Sequence, residues 1–302
     1  MNTKLGLLAA AMVVAACAGA PAPTASPSPS PSPPPSPSPA PTPSPSPSAE
    51  SGFYLRAWYT QALPPLHTFA WLPPITIADG LLFDGNVAIP MIFPGPLTIV
   101  PIVRPISDDG ITAIIDEADQ LGLLGDTTDF SGDAAMPGAR LGQIELVIDG
   151  QRRVLTGKPD AVVRCGGARC IAEPGTPGAF AAFWQNLTLA QGWLGAELGP
   201  AIDYQPDRVA LLLTAPSADN SGLAPAPVAW PFETALAEAG VAYPSGEGDR
   251  CVTLSGDALV AVWPDLLNGN QLTVFVDQAG GQAAPIVRVL VPGDESPCPD
   301  TQ

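Results

Sequence analysis

The sequence predicts an α+β fold in which antiparallel sheets carry packed helices and long loops join short strands. Three observations predict it. Two windows each hold a capped amphipathic helix followed by an alternating apolar pattern. The dipeptide Asp149-Gly150 sits between two such alternating runs, a strong signal for a two-residue hairpin turn. Of the 39 prolines, 14 fall within residues 21–47 and 25 are spread over the rest, where each removes a ladder donor and shortens the strands.

Taken in order, Lys4 precedes an apolar run at residues 5–16 that stops at Cys17. A charged start, a short hydrophobic stretch and small residues before the cut are the pattern of a secretory signal. The run of about 12 residues is shorter than the roughly 18–20 needed to span a bilayer. Val14-Ala15-Ala16-Cys17 reads as a lipoprotein cleavage site, so residues 1–16 are expected to be removed and Cys17 to carry the lipid, palmitate included. An ordinary secretory leader with an accidental cysteine is the plainer alternative. Residues 17–50 then form a stalk, because 21–49 is almost wholly Pro, Ser, Ala and Thr and buries too little apolar surface to order itself. Extended at about 3.1 Å per residue, it reaches up to roughly 90 Å. The expected location is the cell membrane, lipid-anchored and facing the outside.

Residues 51–302 are the expected α+β extracytoplasmic domain, and two strand–helix–hairpin halves, 51–160 and 205–302, can be read in it. Strands are expected at 54–60, 75–78 and 209–214. In SDDGITAIIDEADQLGLLG, Ser107 is a good N-cap, and Asp108 and Asp109 suit the positive end of the helix dipole. Ile111, Ile114, Ile115, Ala118 and Leu121 follow at the spacing of one helical face, and Gly122 or Gly125 stops the helix. Ile144, Leu146 and Ile148 alternate before the Asp149-Gly150 turn. Residues 180–198 read as helical, with Phe180, Phe183, Trp184, Leu187 and Leu194 as core candidates. Ser255 is expected to cap a helix carrying Leu259, Trp263, Leu266 and Leu267, which Pro264 should kink or end and Asn268-Gly269-Asn270 should close. Strands at 271–277 and 285–291 follow, joined by Gly280-Gly281.

The order of pieces resembles a family of secreted bacterial lipoproteins with Pro/Ser-rich stalks, common in actinobacteria and similar high-GC lineages. The residues that carry the resemblance are IFPGPL at 92–97, the ISDDGITAIIDEADQLGLL helix, FAAFW at 180–184, Trp230-Pro231 and the ending VRVLVPGDESPC. They are structural motifs, so the resemblance implies location and architecture and brings no activity with it.

The net charge of −17 disfavours nucleic acid and anionic lipid head groups as partners, and loss of Lys4 with the leader makes the chain more acidic still. Five cysteines leave four after lipidation of Cys17: Cys165, Cys170, Cys251 and Cys298. An even number outside the cytoplasm points to two disulfides, with three connectivities open. Cys165–Cys170 and Cys251–Cys298 is the favoured set, and a four-thiolate zinc site is the competing reading.

His67 is the single histidine, so histidine-pair metal motifs are excluded by count. There is no GxSxG elbow and no phosphate-cradling loop. No catalytic residue and no cofactor is therefore assigned, and the reading leans against an enzyme. Asp126, Asp129 and Asp133 in DTTDFSGD place three carboxylates in one short loop, a weak calcium candidate that departs from the EF-hand spacing. Trp230-Pro231 and Trp263-Pro264 are expected to plug the core. The leading expectation is a non-enzymatic binding or interaction domain for an envelope glycan or protein. The alternatives are an envelope hydrolase with paired carboxylates, and calcium-dependent adhesion. An enzyme requires converging acids in a pocket, whereas a binding module requires a flat or aromatic-rimmed patch.

Overall fold

The computed structural model describes residues 52–60, 68–87, 93–132, 140–167, 169–216, 223–246 and 248–299, all within one compact unit. The leader, the stalk, Cys17, His67 and Asp133 lie outside the described residues. Among the described residues, no helix is long and apolar enough to cross a membrane.

The fold is α+β, as the sequence predicts. Strand β1 (Phe53–Thr60) is the middle of a seven-stranded sheet with β2 (Ile75–Ala78), β3 (Leu81–Asp84), β4 (Ile102–Pro105), β5 (Asp129–Phe130), β6 (Leu141–Ile148) and β7 (Gln151–Gly157), in the order β4-β3-β2-β1-β6-β7-β5. It runs antiparallel to both neighbours, with Leu55 opposite Ile77 on one side and Leu146 on the other. Alternation then sorts its side chains. Phe53, Leu55 and Ala57 join Ile75, Ile77, Ile144, Leu146 and Leu155 in a core against helices α1 (Asp108–Gln120) and α2 (Pro177–Thr188). Tyr54 and Arg56 point to the opposite face. The edge of β4 is covered by bridges from Val103 to Ile202 and from Ile106 to Leu198.

Local chemistry explains the ends of these elements. The Ser107 hydroxyl accepts the Gly110 N–H at 3.0 Å, and Gly122 leaves α1 with φ +69°. Asp149 and Gly150 both have positive φ, 50° and 77°, which is the type I′ turn that joins β6 to β7. Helix α2 opens on Thr176 with Pro177 in its first turn. It does not continue to residue 198: Leu189 leaves the helical region at φ −105°, ψ 23°. The chain restarts as the short α3 (Ala190–Leu194) and a 3-10 turn, Gly195–Glu197.

The second sheet has the order β11-β14-β15-β10-β13-β12, built from β10 (Arg208–Thr214), β11 (Ala226–Ala229), β12 (Val241–Ala242), β13 (Arg250–Ser255), β14 (Thr273–Val276) and β15 (Gln282–Leu290). Helix α4 (Gly256–Asn268) packs Leu259, Val262, Trp263 and Leu266 onto Val209, Leu211, Phe275 and Val289. Pro264 does not end this helix. Both Pro264 and Val260 lie on its exposed side, so water can reach the carbonyl that the proline leaves without a donor. Ser255 holds the N-cap position, but its side chain makes no cap bond. The two hairpins insert differently: β6, the first strand of its pair, lies beside β1, whereas β15, the second of its pair, lies beside β10. Each hairpin also carries a parallel strand on its outer edge, β5 on β7 and β11 on β14.

The sheets meet at Asp294, whose side chain is fully buried. Its carboxylate lies 2.5 Å from Arg56 Nη2, from the first sheet, and 3.4 Å from Arg288 Nη2, from the second. Arg208 donates to its backbone carbonyl at 2.8 Å. Tyr54, Ala78, Phe83, Val103 and Val291 pack around this clasp, with Tyr204 edge-on to Phe83 at 5.2 Å. Gly293 has φ +78°, and a Cβ there would fall 2.3 Å from the Tyr54 hydroxyl. Cys251–Cys298 ties the segment that carries Asp294 to β13 across 47 residues, a closure contributing about 4 kcal/mol on the chain-entropy account.

Asp294→Ala is expected to lower unfolding free energy by about 3–5 kcal/mol, because it leaves two buried guanidinium groups without their anion. Urea titration checks this, and a loss below about 1 kcal/mol would mean that the clasp is dispensable. Burial pushes the Tyr54 and Tyr204 hydroxyls up to about 12, aided by the nearby Asp294 carboxylate. A phenol raised above its ordinary value of 10.0 contributes stability that is whole below that pH and is lost as pH climbs towards 12. The melting temperature should therefore fall between about pH 10 and 12. A Tyr54→Phe, Tyr204→Phe double variant should show a shallower fall over the same range.

Candidate binding site

Two glycines set the site. Gly142 on β6 and Gly157 on β7 are direct cross-strand partners, and together they leave a gap in the pleated surface. A Cβ on Gly157 would lie 2.4 Å from the Phe180 ring, and one on Gly142 would lie 2.7 Å from the Trp184 ring. Phe180 and Trp184 are one turn apart on α2, so the missing side chains let that helix lie directly on the sheet. Phe180 in turn meets Phe130 of β5 at 6.3 Å and Trp184 at 6.0 Å.

A buried polar network fixes the rotation of α2. Asn186, fully buried, accepts the Cys170 N–H at 2.6 Å and donates to the Cys170 carbonyl at 3.0 Å and to Glu117 Oε1 at 2.9 Å. Cys170 lies on β9 (Arg169–Ile171), which is paired with β8 (Arg164–Gly166) and closed onto it by the Cys165–Cys170 disulfide. Arg169 forms an ion pair with the buried Glu117 of α1 and lies over the Trp193 ring at 5.9 Å. Helix α2 is thus held to α1 and to the disulfide hairpin through one amide.

The position of α2 opens a cleft of about 420 Å³ lined by Tyr59, Asn86, Arg140, Pro159, Asp160, Trp184, Gln185 and Thr188. Tyr59, near the end of β1, meets Trp184 at 5.0 Å with the rings inclined by 53°, and the Arg140 guanidinium lies 6.0 Å from the Tyr59 ring centre. Asn86 follows β3 and is pinned by Asp84, which accepts its backbone N–H at 2.9 Å, and by the Pro74 carbonyl at 3.2 Å. Pro159 and Asp160 form the turn after β7. The lining residues offer the half-buried Tyr59 ring, with Trp184 buried behind it, and two amides, two hydroxyls, one cation and one anion.

The sequence-predicted candidates lie elsewhere. Asp126 and Asp129 are exposed and do not line the cleft. The Asp129 carboxylate accepts the Ser131 N–H at 2.9 Å, and its bonds to Ser131 hold it below its ordinary value. Among the described residues, no group of three or more His, Cys, Asp or Glu side chains is placed to hold a metal ion. Trp230 is buried in the second core against Phe275 at 5.3 Å, with its indole N–H donated to the Thr234 carbonyl, and Trp263 is buried beside it; Trp71 is exposed. Sequence reasoning missed every polar residue of the cleft. The one local signal was a glycine within the β6 pattern and another ending β7, with Phe180 and Trp184 spaced to fill them. No protein-family model matches this chain, and neither does any curated protein or solved structure.

Gly157→Ala should reduce stability by about 1–3 kcal/mol, since the new methyl group meets the Phe180 ring in a packed core. The near-UV circular dichroism of the displaced Trp184 should change with it. An unchanged denaturation midpoint and an unchanged aromatic spectrum would show that α2 does not rest on the glycine pair.

Proposed function

We propose that this chain is a lipid-anchored cell-envelope protein whose 51–302 domain is a non-enzymatic binding module displayed outside the membrane on a Pro/Ser stalk. The cleft beside Trp184 carries the binding part of the reading. It sets the half-buried Tyr59 ring beside polar groups of both signs, which is how small-molecule sites fix orientation. Asp160 is the single carboxylate among the described lining residues, whereas hydrolysis by paired acids takes two carboxyl groups about 5–9 Å apart across the bond. That contrast favours binding over cleavage.

Anchoring rests on the leader that ends in Val14-Ala15-Ala16-Cys17 and on the stalk composition that follows. The two disulfides fit an oxidising compartment, where such bonds persist. Resemblance to the secreted, stalked bacterial lipoproteins belongs to the same reading, with Cys17 as the acylated residue and the membrane reached through its lipid. An envelope glycan or protein is the partner class this arrangement would meet.

Cys17→Ser is the direct test. Fractionation of the producing cells should find the wild-type chain in membranes and the variant in the medium. A variant that stays with the membranes, resistant to salt and alkaline washing, would remove the lipid anchor from the proposal.

A further inference from the structure

The rim of the cleft mixes donors with acceptors and carries one charge of each sign. Asn86 donates a side-chain N–H to the Pro74 carbonyl at 3.2 Å, and Gln185 donates one to the Pro159 carbonyl at 3.3 Å. The Thr188 hydroxyl donates to the Gln185 carbonyl at 3.0 Å. Each amide spends one of its two N–H groups in this way and keeps the other together with its oxygen, so it can both donate and accept, whereas the Thr188 hydroxyl keeps its oxygen as an acceptor. Among the described residues the lining therefore holds two amides, the Tyr59 and Thr188 hydroxyls, the Asp160 carboxylate and the Arg140 guanidinium.

Such a rim suits a ligand whose groups both donate and accept, as hydroxyls do. With Arg140 and Asp160 the lining carries one charge of each sign and no net charge, which matches a ligand that is itself neutral, and the chain's net charge of −17 disfavours anions. A flat aromatic ligand is disfavoured too, because Tyr59 already packs on Trp184 and lies beneath Arg140. A polyhydroxylated ring meets every one of these conditions. Its hydroxyls donate to amide and carboxylate oxygens and accept from Arg140 and the free amide N–H groups, and its C–H edges suit the half-buried Tyr59 ring. The cleft volume of about 420 Å³ lies within the roughly 300–1,000 Å³ of small-ligand sites.

We infer that the cleft binds a neutral carbohydrate, taking one or two sugar residues of a glycan, with Asp160, Asn86 and Gln185 accepting from ring hydroxyls and Arg140 donating to them. This inference rests on the reading of the cleft as a binding site.

The experiment is calorimetric titration of the full-length chain, purified in a detergent without a sugar headgroup. The probes are glucose, galactose, mannose, arabinose, N-acetylglucosamine and their homodisaccharides, with glycylglycine as a zwitterionic control. At least one neutral sugar should bind saturably. Its affinity should fall roughly tenfold in Asp160→Asn and in Asn86→Ala, as expected for loss of one hydrogen bond to a charged or well-placed acceptor. Both positions are exposed, so the melting temperature should not move, and a fall in it would call for the Asp160→Glu variant as the folding control.

Glycylglycine binding that weakens in Asp160→Asn, with no sugar bound, would keep the cleft as a site and overturn the carbohydrate assignment. Sugar binding that neither variant weakens would place the sugar elsewhere and overturn it as well. No binding of any probe would overturn both the assignment and the reading on which it rests.

Discussion

A single carboxylate, that of Asp294, is shared by arginines from two different sheets. The first sheet is covered on one face by α1 and α2, and the second on one face by α4. Each has a second face, and alternation puts Tyr54 and Arg56 on that face of β1, where they are drawn out of water. Buried guanidinium groups are costly unless an anion and further hydrogen bonds meet them. Asp294 supplies the anion to both, its backbone carbonyl takes Arg208, and the apolar residues around Val291 exclude solvent. Without that arrangement the charged face of the first sheet would have nothing to dock against.

Packing around the clasp follows from backbone as much as from side chains. Gly293 turns the chain with a positive φ and lets the Tyr54 hydroxyl come closer than any Cβ would permit. On the far side of the same sheet, the Gly142–Gly157 pair works by the same principle on a larger scale, since the absence of two side chains makes room for two aromatic rings. Asn186 then sets the angle about the helix axis that packing alone leaves loose. Close approach, ring stacking and one satisfied amide together decide where Trp184, Gln185 and Thr188 stand, and so where the cleft opens.

Features set by neighbouring residues were legible in the sequence; features set by distant ones were not. Ser107, the isoleucines after it and Gly122 define α1 by capping and period, and Asp149-Gly150 defines a turn that only positive φ values can build. Leu189 breaks α2 without a glycine or proline to announce it, and Pro264 sits within α4 because its face is wet, which depends on tertiary structure. The cleft draws on β1, the segment after β3, the start of β6, the turn after β7 and α2, so no window of sequence contains it. Asp294 is likewise an ordinary acidic residue in GDES until two remote arginines are brought to it.

The placement of β1 also bears on how the molecule carries a load. The polypeptide that precedes Phe53 enters directly into a strand bonded to β6 along its whole length and to β2 over Leu55–Ala57. A pull transmitted through that incoming segment acts parallel to both ladders, so their bonds resist in shear and must fail nearly together. A force applied across the strands instead would load the ladder bonds one after another and part them at far lower tension.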